Sequence, residues 1–253
     1  MNNILSQDQI KLMRKSGQIL ASVMKEVSAL VKPGISTDKL DDVAKKLILN
    51  AGATPSFLNY EVAGVGKYPA SLCVSINSEI VHGLPRKSKV LTEGDIVSLD
   101  LGVSYKGICT DMAVTLPVGK ITKDAQRLID VTKECLGLAI SKAKAGNHIG
   151  AIGEVVEGCA YKNSFGVVRD LVGHGIGAQP HMDPQIPNFG KNSDGPVIKE
   201  GMALAIEPMI TFGDYHIKSG NDGWTISTKD GSLAAHFEHT VVIINNRAEI
   251  VTK

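Results

Sequence analysis

Ile96-Val97-Ser98-Leu99-Asp100-Leu101-Gly102, followed after Ser104-Tyr105-Lys106-Gly107 by the run from Cys109 to Leu116, is the stretch that decides how this chain folds. Two short apolar runs flank a segment of turn composition, which predicts antiparallel strands joined by a tight hairpin. Each strand carries one carboxylate, Asp100 and Asp111. A hairpin centred between Tyr105 and Lys106 sets the two side chains directly opposite each other, with Cβ atoms about 4.5–5.5 Å apart. Carboxylates that close on apolar strands repel, so either one holds a proton or a cation lies between them. A shifted register, with both side chains in water, is the alternative.

Upstream of the hairpin, Ile10, Met13, Gly17, Leu20, Met24, Val27 and Val31 recur at steps of three and four, one face of a helix. Ser6 and Gln9 can form a capping box before it, and Lys32-Pro33-Gly34 ends it. A second helix starts near Ser36 or Thr37, buries Leu40, Val43, Ala44, Leu47 and Ile48, and stops near Gly52. Downstream the pattern starts again. Leu128, Val131, Cys135 and Leu138 mark a third helix ended by Ala145-Gly146, Ile149, Ile152, Val156 and Cys159 mark a fourth, and short strands follow. Lys32, Gly34, Leu40 and Val43 match Lys144, Gly146, Ile152 and Val155, each 112 positions later. Either the chain is a duplication of one helix-helix-strands unit, or two generic helix pairs coincide. The expected class is α+β, with similar halves of about 1–120 and 121–253 in one domain, 1–253.

Hydrophobic residues make up 43% of the 253, enough for a sizeable core, and with aromatics at 4% that core must be filled by Ile, Leu, Val and Ala. Net charge is +1, from 27 basic and 26 acidic residues, which suggests neither a nucleic-acid groove nor a membrane surface. Cys73, Cys109, Cys135 and Cys159 form no CxxC pair, so they read as reduced thiols of a cytoplasmic protein rather than a thiolate zinc site. Asp8, Lys11, Arg14 and Lys15 break up any signal-peptide core.

Two further carboxylates sit in apolar settings. Glu207 follows Met202-Ala203-Leu204-Ala205-Ile206, and Glu238 precedes Thr240-Val241-Val242-Ile243-Ile244. Acidic residues are rarely buried without a partner or a cation. His174 lies in Val172-Gly173-His174-Gly175-Ile176-Gly177, where flanking glycines allow close approach. If these five converge, the carboxylates carry −4 and two divalent ions cancel that charge. Carboxylates plus one imidazole, without thiolate, suit Mn, Fe(II), Co or Zn and do not choose among them. Two such ions can activate a shared water and polarise a carbonyl, which is hydrolase chemistry.

In order and spacing, Asp100, Asp111, the Gly173-His174-Gly175-Ile176-Gly177 run, Ile206-Glu207-Pro208 and Phe237-Glu238-His239-Thr240 resemble the methionine aminopeptidases, in their compact type I form. The resemblance spans nearly the whole chain. It implies the pita-bread (creatinase/aminopeptidase) fold, two pseudo-symmetric halves with a dinuclear metal site between them. It further implies that Asp111 and Glu238 bridge two divalent metal ions (Co, Mn, Fe or Zn), that Asp100 holds one, and that His174 and Glu207 hold the other. By the same resemblance Glu207 is also the general base. His82, in Ile80-Val81-His82-Gly83, contacts the scissile amide, and His181 stabilises the tetrahedral intermediate. Tyr68, Cys73 and Trp224 form the methionine pocket, although ordinary packing is an equal reading of Cys73. The implied activity is removal of the N-terminal methionine from nascent polypeptides when the second residue is small and the amine is free. A monomer in transient association with the ribosome is implied too, without nucleic-acid specificity or membrane attachment.

The chain departs from the pattern in places. Pro180 stands where an aromatic residue commonly precedes the histidine at 181, and Val62 and Val65 replace larger or polar pocket residues. His236 occupies a position where glutamine is common, either supporting the ligands or playing no part, and His148 and His216 read as surface residues. Two rival functions remain. An Xaa-Pro aminopeptidase shares the fold but usually carries an extra N-terminal domain, for which a first helix starting this early leaves no room. A binding module that has lost its metal is the other, and all five ligand types argue against it.

Overall fold

The structure is a computed structural model and describes residues 4–253. Four helices form among the described residues, α1 (Gln7–Ser28), α2 (Thr37–Asn50), α3 (Lys123–Lys142) and α4 (Gly150–Lys162). Ser6 and Gln9 make the expected capping box, Ser6 accepting from the Gln9 backbone and the Gln9 side chain accepting from Ser6 N. α1 stops at Ser28, short of Lys32-Pro33-Gly34, so Val31 packs from the loop. Leu138 is a correction as well. It is 40% exposed on α3, whose buried stripe runs through Leu128, Val131, Cys135 and Leu136.

The main sheet comprises nine strands among the described residues. They are β1 (Thr54–Pro55), β2 (Leu72–Ile76), β3 (Ile96–Tyr105), β4 (Ile108–Pro117), β5 (Val172–Gly175), β6 (Met182–Pro187), β7 (Ala203–Ile206), β8 (Glu238–Ile244) and β9 (Arg247–Ile250). Neighbours run β1-β3-β4-β8-β7-β5-β6, with β2 also paired to β3 and β9 to β8. The β3–β4 hairpin turns on Lys106-Gly107, both at positive φ, and Tyr105 pairs with Ile108. Two-residue hairpin loops favour such a turn because its twist matches that of the strands. The pairing is therefore offset from the sequence reading. Asp100 faces Ala113 and Asp111 faces Gly102, so the two carboxylates are diagonal neighbours rather than directly opposed. Moving the hairpin centre by one residue moves partners by two, and with a side-chain period of two both stay on the same face.

That parity separates core from site. Val97, Leu99, Leu101 and Val103 of β3 pack with Leu72 and Val74 against α1 and α2. Leu204, Ile206, Val241 and Ile243 pack against α3 and α4. The alternate residues, among them Asp100, Asp111 and Glu238, point to the opposite face. The two halves are related. Gly34 N donates to Leu91 O (2.8 Å) and Gly146 N to Ile198 O (3.0 Å), and the bridges Ser36–Val90 and His148–Val197 repeat the arrangement. Gly34 and Gly146, 112 positions apart, both hold positive φ, +87° and +91°. The same backbone device thus recurs at the offset of the sequence self-match. The halves meet where β4 pairs with β8, through Ala113–Glu238 and Met112–His239.

α1 crosses to the far end of the chain. A Cβ on Gly17 would lie 2.6 Å from the Val251 carbonyl carbon, whereas one on Gly137, exposed on α3, would meet nothing within 4 Å. Alanine exceeds glycine in helix propensity by about 1 kcal/mol. Gly137→Ala should therefore raise stability by roughly that amount, and Gly17→Ala should lower it by about 1–3 kcal/mol through overpacking against backbone. Urea unfolding of both variants checks the opposite signs.

Candidate metal centre

Backbone pairing assembles the acidic cluster. Ala113 of β4 pairs with Asp100 on one side and Glu238 on the other, so these side chains lie in one row with a small residue between them. Asp111 is two positions from Ala113 on the same face. Beyond β7, the register Ile206–His239 continues to place Glu207 across from Glu238, and Ala205 pairs with His174 of β5. One face of one sheet thus gathers all five residues singled out in the sequence, drawing two from one half and three from the other.

The fixings are local. Asp111 is tied to β8 by Thr240, whose Oγ1 accepts from Asp111 N and donates to Asp111 O, both at 2.8 Å. Asn188 Nδ2 donates to Glu207 O at 3.0 Å. His174 Nδ1 lies 3.0 Å from Gly175 O, which places the proton on Nδ1 and leaves Nε2 with a lone pair, 3.4 Å from Glu207 Oε1. His236, fully buried, points Nε2 at Glu207 Oε2 (3.5 Å) and Glu238 Oε2 (4.0 Å).

Electrostatics show what the cluster lacks. Burial, then mutual repulsion, holds the carboxyls of Asp100, Glu207 and Glu238 well above their usual range. Burial pushes Asp111 up to about 7 despite a hydrogen bond from Met112 N. Burial holds the imidazoles of His174 and His236 down to about 3 and that of His82 to about 4. Asp100 Oδ1 and Glu238 Oε1 have no hydrogen-bond partner among the described residues. The cavity over the cluster, about 380 Å³, is lined by all four carboxylates and by no lysine or arginine. Ligand atoms of Asp100, Asp111 and Glu238 lie within 4.8 Å of one another, as do those of His174, Glu207 and Glu238, so each group could hold a cation. The donor set fits divalent ions: oxygen donors with orphaned lone pairs, one neutral imidazole and no competing cation.

The remaining expected residues surround this cavity. His82 lines it at the end of strand Glu79–Val81, at φ +58°, and His181 lines its rim. The rings of His181 and His174 lie 4.4 Å apart. Tyr68, Cys73 and Trp224 line an apolar lobe, with Tyr68 and Trp224 edge to face at 5.1 Å. Tyr68 Oη donates to Gly83 O at 3.1 Å, and Cys73 pairs with Asp100, so this lobe abuts the carboxylates. The Asp222 side chain accepts from Trp224 N and Thr225 N and pairs with Arg86, fixing the turn that carries the indole. Val62 lines the cavity but Val65 does not. It is 47% exposed, which corrects its placement in the pocket. Phe57, Tyr60, Leu171 and Met209 also line the cavity, unforeseen in the sequence. Phe57 and Tyr60 sit in a loop with no motif; the scarcity of aromatics was the one available hint.

Comparison with known proteins agrees with this geometry. The model of metallopeptidase family M24 matches residues 11–245. A methionine aminopeptidase of Clostridium perfringens is 45% identical over 247 residues, covering 98% of this chain and 97% of that protein. The crystal structure of a methionine aminopeptidase from Thermotoga maritima superposes with a TM-score of 0.95 at 42% identity, over the whole of both chains. A prolidase from Pyrococcus furiosus shares the fold alone, with a TM-score of 0.78 at 21% identity over 99% of this chain and 65% of that one. A sheet that gathers five ligand-type side chains across two related halves, in a chain this similar to those enzymes, belongs to metallopeptidase family M24 and, within it, to the methionine aminopeptidases.

Proposed function

We propose that the cluster is a site for two divalent ions, which Asp100, Asp111, His174, Glu207 and Glu238 would hold. Four carboxylates, three buried and Glu207 nearly so, around a cavity that no lysine or arginine lines are the observation that carries this reading, because only bound cations let all four ionise there. Divalent ions supply Lewis-acid polarisation of a carbonyl and an activated water. The protein does the rest. Glu207, bracketed by His174 and His236, moves a proton between the attacking water and the leaving amine. His82 and His181, on the cavity wall and rim, orient the scissile amide and donate to the developing oxyanion. The methionine side chain enters the lobe of Tyr68, Cys73 and Trp224, where its sulfur meets aromatic rings.

The substrate is then an unblocked N-terminal methionine of a nascent chain whose second residue is small. The free amine sits beside the carboxylate cluster, and the next residue must pass between it and His82. No helix among the described residues is long and apolar enough to cross a membrane. A single catalytic domain, acting as a cytoplasmic monomer that visits the ribosome without specificity for nucleic acid, is the reading consistent with the sequence.

Met-Ala-Ser should be cleaved, and Met-Lys-Ser, formyl-Met-Ala-Ser and Ala-Pro-Ala should not. Because rejection of lysine is steric, it should exceed the roughly 10–200-fold discrimination usual for one methylene. Equal rates on the alanine and lysine peptides would remove the constriction, and a preference for Ala-Pro-Ala would favour an Xaa-Pro enzyme.

Glu207→Gln should lower kcat by about 10³-fold or more while the protein still folds, since it removes both a ligand and a base. Steady-state kinetics with Mn(II) at saturation is the check, and a variant retaining half the wild-type kcat would sink the assignment.

The raised carboxyls also predict a pH dependence. Carboxyls that stay protonated in the fold and ionise on unfolding give the native state more bound protons, so stability falls as pH rises towards the folded pKa. The lowered histidines act in the opposite sense, but only below about pH 6.5, where an unfolded histidine takes up its proton. Between pH 6.5 and 8 the metal-free protein should therefore lose about 1.4 kcal/mol per pH unit for each carboxyl still protonated. Urea titrations across that range measure the slope. The Mn(II)-loaded protein should be flat, and a flat metal-free profile would contradict the raised values.

A further inference from the structure

His236 is used by none of the roles above, and its surroundings are unusual. Its side chain is 1% exposed, it does not line the cavity, and neither ring nitrogen has a hydrogen-bond partner among the described residues. It is also absent from the groups whose ligand atoms converge. What it faces is the back of the cluster, Glu207 Oε2 at 3.5 Å and Glu238 Oε2 at 4.0 Å. An unpaired imidazole in such a place costs about 1–3 kcal/mol unless something in the working state satisfies it.

Its backbone is held firmly. His236 N donates to Thr115 Oγ1 and Thr115 Oγ1 donates to His236 O, both at 2.8 Å. The threonine has one proton, spent on His236 O, so Ser98 is the donor in the 2.8 Å contact between Ser98 Oγ and Thr115 Oγ1. Ser98 and Thr115 face each other across β3 and β4, two residues from Asp100 and Ala113. The strand Ala234–His236 is thereby pinned to the two strands that carry the aspartates.

We propose that His236 is a positioning residue of the metal centre: Nε2–H holds Oε2 of Glu207 so that Oε1, beside His174, is presented to the metal. This rests on the dinuclear reading of the cluster. An ionised carboxylate only accepts hydrogen bonds, so the tautomer with its proton on Nε2 suits both oxygens in front of it. A small rotation of the Glu207 carboxylate closes 3.5 Å to hydrogen-bond length. With that bond made in the metal-loaded state, Glu207 lies between two imidazoles, one beside each oxygen, and its free rotation is lost.

The test compares two replacements of similar size, His236→Gln, which keeps an N–H donor, and His236→Met, which does not. Mn(II) affinity of the metal-free proteins is read by calorimetry, kcat and KM on Met-Ala-Ser, and stability by urea unfolding without metal. Removing an outer partner of a metal ligand typically costs about 10–100-fold, so His236→Met should weaken Mn(II) binding and lower kcat by that order. Its KM should hold, and its metal-free stability should be equal or higher because an unpaired polar group is gone. His236→Gln should stay within about threefold of wild type in affinity and kcat, a range that a preserved donor allows. Wild-type affinity in His236→Met overturns the proposal, and so does a His236→Gln as impaired as His236→Met, which would require the imidazole itself. Should His236→Met not fold, Thr115→Val, which alters no cavity residue, gives the reading: weakened Mn(II) binding supports the clamp, and unchanged binding overturns it. A wild-type protein that binds no Mn(II) sinks the dinuclear reading instead.

Discussion

Four carboxylates gathered on one face of one sheet, three of them buried, are the constraint on which the rest of this structure depends. Burial, and for three of them repulsion after it, raises these carboxyls above their usual range, and the hydrogen bonds in the cluster do not offset it. The fold tolerates them because each is fixed from behind. Asp111 is held through Thr240, Glu207 through Asn188, and Asp100 and Glu238 by full strand pairing around Ala113. Rigid strands keep the side chains from moving apart, so the stress is relieved by protons when metal is absent and by cations when it is present. A site built this way is prepared in advance for its ions.

The pseudo-twofold arrangement explains why such a cluster is placed here. Each half supplies a helix pair on one face and strands whose alternate residues reach the other. Where β4 meets β8, the inner strands of the halves bring their acidic residues into one row. The first half supplies Asp100 and Asp111, and the second supplies His174, Glu207 and Glu238, so neither half alone has all five donors. The chemistry therefore belongs to the seam, and the apolar lobe beside Cys73 belongs mainly to the first half.

Much of this was legible in the sequence for definite reasons. Helical faces followed from spacing, the capping box from Ser6 and Gln9, and the acidic constellation from carboxylates embedded in apolar runs. The hairpin register was missed by two positions, because Lys106 at positive φ is a conformation that its residue type does not advertise. The face on which Asp100 and Asp111 lie survived that error, since only parity decides it. Phe57 and Tyr60 were missed because a loop brings them to the cavity without periodicity, and Val65 was misplaced for the same reason: loop residues carry no rule for direction. His236 could be noticed but not interpreted, as its neighbours come from a strand far away in sequence.

The contact between Gly17 and Val251 bears on the timing of assembly. α1 is made well before Val251, which receives Gly17, and before Glu249, which pairs with Arg14 (2.6 Å). During synthesis α1 can form its turns early but has no finished surface to dock against until β9 has emerged. β8, which carries Glu238, also arrives late. A partly made chain thus holds Asp100 and Asp111 without their counterparts, and its acidic row is incomplete. Docking of the first helix and completion of the acidic row both wait for residues from Glu238 onward.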